Sequence, residues 1–167
     1  MRRALLPLLL LPSLACRDPV REMAMAALGG EASGVPPGPL HRPGQPCLVC
    51  HDGGEASVFS VAGTVYARAD GAVPLNKVTV ELVDSDGHAA KPSTNCAGNF
   101  FLRPDELLPH YPLWVTLAVG TQKIDMESPI YREGSCAPCH TDPKGRASAG
   151  HVYFLLDENP DLPAVHH

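Results

Sequence analysis

Two pentads limit what this chain can become: Cys47-Leu48-Val49-Cys50-His51 and Cys136-Ala137-Pro138-Cys139-His140. At two places the fold must present a pair of cysteines with a histidine directly behind them. C-x-x-C-H is the attachment pattern of c-type haem. Each cysteine can form a thioether to one vinyl-derived carbon of a porphyrin, and two intervening residues make a turn that sets both sulfurs along one edge. The following histidine then lies beneath the ring and ligates iron from its proximal face. The pattern predicts two covalently attached haem c groups, held by Cys47 and Cys50 and by Cys136 and Cys139, with His51 and His140 as proximal ligands.

Competing chemistries account for the pattern less well. Four cysteines could form a zinc site, but zinc knuckles lie closer together in sequence and need no histidine at the fifth position of both. A thioredoxin-like redox pair requires a βαβ context that the sequence lacks. Disulfides closed within C-x-x-C are strained and usually catalytic.

The N-terminus supports the haem reading independently, because haem c is attached outside the cytoplasm. Arg2 and Arg3 precede an apolar run over residues 4–15 that is interrupted by Pro7, Pro12 and Ser13. The run is too short to span a bilayer and has the layout of a secretory signal, so residues 1–15 are expected to direct export. Ser13-Leu14-Ala15-Cys16 resembles a bacterial lipobox, which implies Cys16 as a candidate lipidation site and a membrane anchor that does not span. The lipobox prefers Leu where Ser13 stands. Residues 16–40, rich in Gly, Pro and Ala, are expected to form a tether, with one helical stretch over 21–28. If Cys16 is lipidated, Cys96 is a lone, buried thiol; otherwise a Cys16–Cys96 disulfide is open.

Between the pentads the hydrophobic pattern switches to period two. Val78, Val80 and Leu82 fall on one face of an expected strand, with Thr79 and Glu81 on the other. Further strands are expected over 59–66, 99–102, 113–119 and 151–155, with turns at Asp70-Gly71 and Asp86-Gly87. Trp114, the single tryptophan, is expected in the core, and the acidic residues of the module on solvated faces and turns. The fold class is thus mainly β, with an antiparallel sandwich between irregular or short-helical haem c segments. The boundaries fall at 41–57 for the first haem segment, 58–120 for the sandwich, 121–150 for the second haem segment and 151–167 for a terminal strand and tail.

Gly63-Thr64-Val65, Val73-Pro74-Leu75 before Val78-Thr79-Val80, and Thr94-Asn95-Cys96-Ala97-Gly98-Asn99-Phe100 resemble the carboxypeptidase regulatory-like (transthyretin-like) family. The resemblance covers roughly residues 58–120 and implies a non-catalytic β-sandwich module. Together with the pentads, and with 41–46 and 132–135 leading into them, the chain resembles small bacterial dihaem cytochromes whose haem segments flank such a module.

The sixth ligand of each iron decides what a haem does. Fully extended, the residues between His41 and His51 reach about 30 Å, enough to pass round a porphyrin edge, so His41 is a candidate distal ligand of the first haem. Met126, His151 and His110 are candidates for the second. His88 is expected on an exposed turn, and His166 and His167 in the tail.

A net charge of −5 excludes a nucleic-acid surface and suits redox partners with basic docking faces. Only 5% of the 167 residues are aromatic, and two porphyrins would supply flat apolar area instead. The expected role is single-electron transfer in the periplasm or at a membrane surface, with self-assembly open and no catalytic residues of its own. The alternative is a dihaem peroxidase-like or haem-sensing protein with one open iron site.

Overall fold

The computed structural model describes residues 18–31, 33–71, 73–141 and 148–155. The export segment, Cys16, His166 and His167 lie outside the described residues. Among those described, the chain is mainly β, with one α-helix and two antiparallel sheets.

The first sheet pairs β1 (Val61–Thr64) with β4 (Asn99–Leu102), Thr64 standing opposite Asn99 and Val61 opposite Leu102. The second runs β3 (Ala89–Ala90), β2 (Thr79–Val83), β5 (Trp114–Val119), β6 (Gln122–Asp125). Alternation along β2 buries Val80 and Leu82, with Val78 just ahead of the strand, as its period-two pattern requires. These side chains meet Val61, Val65, Phe100 and Leu102 from the other sheet and Leu117 and Val119 from β5 in one apolar core. The outward residue Glu81 is bracketed by Lys91 and Lys123 across the strands.

Tight turns join the sheets. Gly98, at φ +73°, closes the turn before β4, and a Cβ there would run into the carbonyl oxygen of Val65. β6 lies in the stretch expected to belong to the second haem segment, so the sheet extends past residue 120. Residues 151–155 form no regular strand. Their backbone bonds to Tyr66, which accepts from the Phe154 N–H and donates to the Val152 carbonyl, and the Phe154 side chain is buried in the core.

Three burial expectations are corrected. Trp114 is 47% exposed, because the preceding Leu113 takes the inward position and alternation turns the indole out beside Val83. Cys96 is exposed on the Asn95–Gly98 turn, near the Asn76 amide. Asp84 is a buried carboxylate rather than a solvated one. It accepts from the backbone N–H groups of Asp86, His88 and His110 and from His88 Nδ1. Those bonds, the His110 N–H foremost, hold its pKa far below the usual carboxylate range.

Candidate haem c sites

The two pentads share two backbone hydrogen bonds. In the first, a single 3-10 turn, Cys47–Val49, follows Pro46, and both Cys50 and His51 donate their N–H to the Cys47 carbonyl at 3.2 and 3.0 Å. In the second, Cys139 and His140 donate to the Cys136 carbonyl at the same 3.2 and 3.0 Å. A tight turn therefore sets the two cysteines of each pair together and places the histidine one turn on from the first.

Each histidine is also oriented alike. His51 Nδ1 lies 2.9 Å from the Ser57 carbonyl, and His140 Nδ1 lies 2.9 Å from the Gly150 carbonyl. A carbonyl can only accept, so Nδ1 carries the proton and Nε2 is left as the lone-pair donor. Anchoring of one ring nitrogen on a carbonyl is how ligating histidines are held for a metal. His41 repeats the arrangement, with Nδ1 bonded to the Gly38 carbonyl.

At the first motif these histidines converge. The His41 and His51 ring centres are 5.8 Å apart, with planes 13° from parallel. Behind His51 its ring stacks on Phe59 at 3.9 Å, and Phe59 on Phe101 at 4.5 Å, which fixes the imidazole plane. A cavity of about 490 Å³ lies among His41, Cys47, Cys50, His51, Phe100 and Arg103. Its volume is in the range of cofactor pockets, and its walls hold the donors and aromatic faces that haem c needs.

His41 reaches this place without an extended chain. Residues 38–45 are folded into turns, with His41 N–H bonded to Gly38 and Gln45 N–H to Arg42. A buried relay pins them to the sheets: Gly44 N–H donates to Thr64 Oγ1 at 2.7 Å, and that hydroxyl donates to Asn99 Oδ1 at 2.7 Å. The Asn99 amide nitrogen then donates to the carbonyls of His41 and Pro39. Sequence reading missed Thr64 and Asn99, which look like ordinary strand residues until β1 and β4 are paired.

Part of the stretch expected as a tether is also attached. Helix α1 (Pro19–Ala27) is capped by Asp18, and Arg21 binds Asp52 through two nitrogens at 2.6 Å and the Val49 carbonyl at 3.2 Å. This clamps α1 over the first pentad.

The other ligand candidates are placed differently. Met126 closes β6, its N–H bonded to Val115, on the four-stranded sheet, whereas Cys136 is hydrogen-bonded to β1. His110 is exposed and tied to Asp86, whose hydrogen bond, helped by its charge, raises the His110 pKa. His151 follows Gly150, the anchor of His140, and its ring lies 4.8 Å from that of Tyr66. None of the three lines the first cavity.

The first cysteine of each pair is buried and disfavours the thiolate. Burial pushes Cys47 up, and burial, helped by charge on Cys47 and Cys139, pushes Cys136 up to about 12. Disulfide oxidoreductases require the opposite, a depressed thiol pKa. All five described cysteines are free, and among the described residues no three His, Cys, Asp or Glu side chains converge on one ion position. Comparison with protein-family models, curated proteins and solved structures finds no match to this chain.

Proposed function

We propose that the chain is an exported dihaem c-type cytochrome that carries single electrons between redox partners. One observation carries the reading. Two C-x-x-C-H pentads distant in sequence share one backbone turn, and each ends in a histidine whose Nδ1 is bonded to a carbonyl at 2.9 Å, leaving Nε2 to donate. Haem supplies reversible one-electron chemistry at iron. This chain's residues do the rest: Cys47, Cys50, Cys136 and Cys139 hold the porphyrins, His51 and His140 give the proximal bonds, and His41 gives the distal bond at the first site.

The two sheets serve as a rigid platform of the carboxypeptidase regulatory-like kind. Gly63-Thr64-Val65 and Asn99-Phe100 belong to segments that pair as β1 and β4. Export rests on the N-terminal segment and on the need to attach haem c outside the cytoplasm. No helix among the described residues is long and apolar enough to cross a membrane, and a lipid on Cys16 would supply an anchor that does not span. The acidic balance favours partners with basic docking faces.

The test is expression in a host with cytochrome c maturation, followed by intact mass and visible spectra in both redox states. A mass gain of two haems with low-spin bands supports the carrier. One high-spin iron would favour the peroxidase-like or sensing role, and no covalent haem would overturn the proposal.

A further inference from the structure

One face of β4 serves the first cavity. Alternation along the strand sends Phe100 and Leu102 into the core and brings Asn99, Phe101 and the following Arg103 to the other side. Each of these three meets the site. The Asn99 amide holds the His41 carbonyl at 3.0 Å, the Phe101 ring stacks on Phe59 and through it on His51, and Arg103 lines the cavity. Arg103 is also exposed, so it stands at the cavity mouth. Its backbone is fixed by the turn that ends β4. The N–H groups of Glu106 and Leu107 donate to the Arg103 carbonyl at 3.0 and 3.1 Å, and the buried Leu107 anchors that turn.

The charges around the cavity are one-sided. Arg42 and Arg103 line it, and no carboxylate does so among the described residues. Arg42 is already engaged: it pairs with Glu31 at 3.1 Å and donates to Gln45 and to the Gly29 carbonyl, each at 2.9 Å. The Arg103 guanidinium has no hydrogen bond or ion pair among the described residues. The nearby Glu106 carboxylate accepts from the Arg103 backbone N–H at 2.8 Å instead. A guanidinium at the mouth of a cavity walled by Phe59, Phe100 and Phe101 suits a ligand with a flat apolar body and an anionic edge. Haem has that form, because two propionate carboxylates project from one side of its ring. We propose that Arg103 is the carboxylate-binding residue of the first site and holds a haem propionate by charge-assisted hydrogen bonds. The inference rests on the haem reading above and concerns the first cavity alone. The contact is non-covalent: no bond is made or broken and no electron moves.

The experiment titrates iron mesoporphyrin IX into the full chain isolated without covalent haem and follows the Soret band. This porphyrin carries ethyl groups in place of vinyls, so it forms no thioether and its binding is reversible. Its dimethyl ester, with the same ring and iron but no carboxylate charge, is the comparison. Arg103→Gln should weaken binding of the free acid about tenfold and leave the ester unchanged. Arg103→Lys should keep part of the preference for the acid, since it retains the charge without the fork. An equal loss for acid and ester, or no loss for either, overturns the role of Arg103 and leaves the haem reading intact. A chain that binds neither form overturns the assignment of the cavity to haem as well. In the matured protein, Arg103→Gln should also shift the pH dependence of a reduction midpoint toward higher pH, because a propionate without its cation takes up a proton more readily. A profile unchanged by the substitution overturns the contact.

Discussion

His51 and His140 are held as equivalents: each follows a C-x-x-C turn with the same hydrogen bonds, and each Nδ1 sits 2.9 Å from a carbonyl, of Ser57 in one case and Gly150 in the other. The carbonyls come from unrelated neighbouring sequence, so the likeness belongs to the site and not to a copied segment. A histidine whose Nδ1 is bonded to a carbonyl has Nε2 free to donate, the orientation that the proposed ligation would use at both positions.

His41 stands opposite only the first of these. Substitution His41→Ala in the matured protein should convert about half of the ferric spectrum from low to high spin, with added imidazole restoring it. An unchanged visible spectrum would remove His41 as a ligand.

Thr64 acts through position, since its hydroxyl links Gly44 to Asn99 and so holds the His41 loop. Thr64→Val keeps the shape and removes both bonds, leaving Asn99 Oδ1 without that donor at a cost of about 1–3 kcal/mol. The first haem should become partly high spin and pH-sensitive, while Thr64→Ser should restore the spectrum. If Val and Ser behave alike, the relay has no role in positioning His41.

How much of this was legible beforehand follows from the range of each signal. The pentads and the alternation of Val78, Val80 and Leu82 are local patterns; the alternation marked β2 directly, and the pentads marked the cysteines and histidines that the structure sets in two similar turns. The inward Leu113 and outward Trp114 show where local reading fails, because either residue of a strand can face the core until the register is known. Asp84 escaped for a related reason: its three backbone donors come from two loops distant in sequence. His41 was suggested by composition around it, but its route was not. The chain reaches the site through turns pinned by Asn99, a contact between residues far apart in sequence.

Leu82, 1% exposed, faces residues of both sheets in the core. Leu82→Ala should therefore cost roughly 3 kcal/mol of unfolding free energy in urea, with the slope of the transition unchanged. A cost under about 1 kcal/mol would mean that the two sheets do not share a close-packed core.

The acid–base pairs around the Asp84 loop give a pH profile with two limbs. Asp84 has its folded pKa depressed below 3.8, so it favours the folded state above that value and the benefit disappears as pH falls toward the folded value. His110 has its pKa raised above 6.5, chiefly by the hydrogen bond to Asp86, so its contribution is complete below 6.5 and fades as pH rises through the raised value. Thermal midpoints should thus fall on both sides of a maximum near pH 5–6. Asp86→Asn should flatten the alkaline limb between about pH 6 and 8 and leave the acid limb in place. An alkaline limb that survives Asp86→Asn at full slope would show that another group, and not the His110–Asp86 pair, sets the stability there.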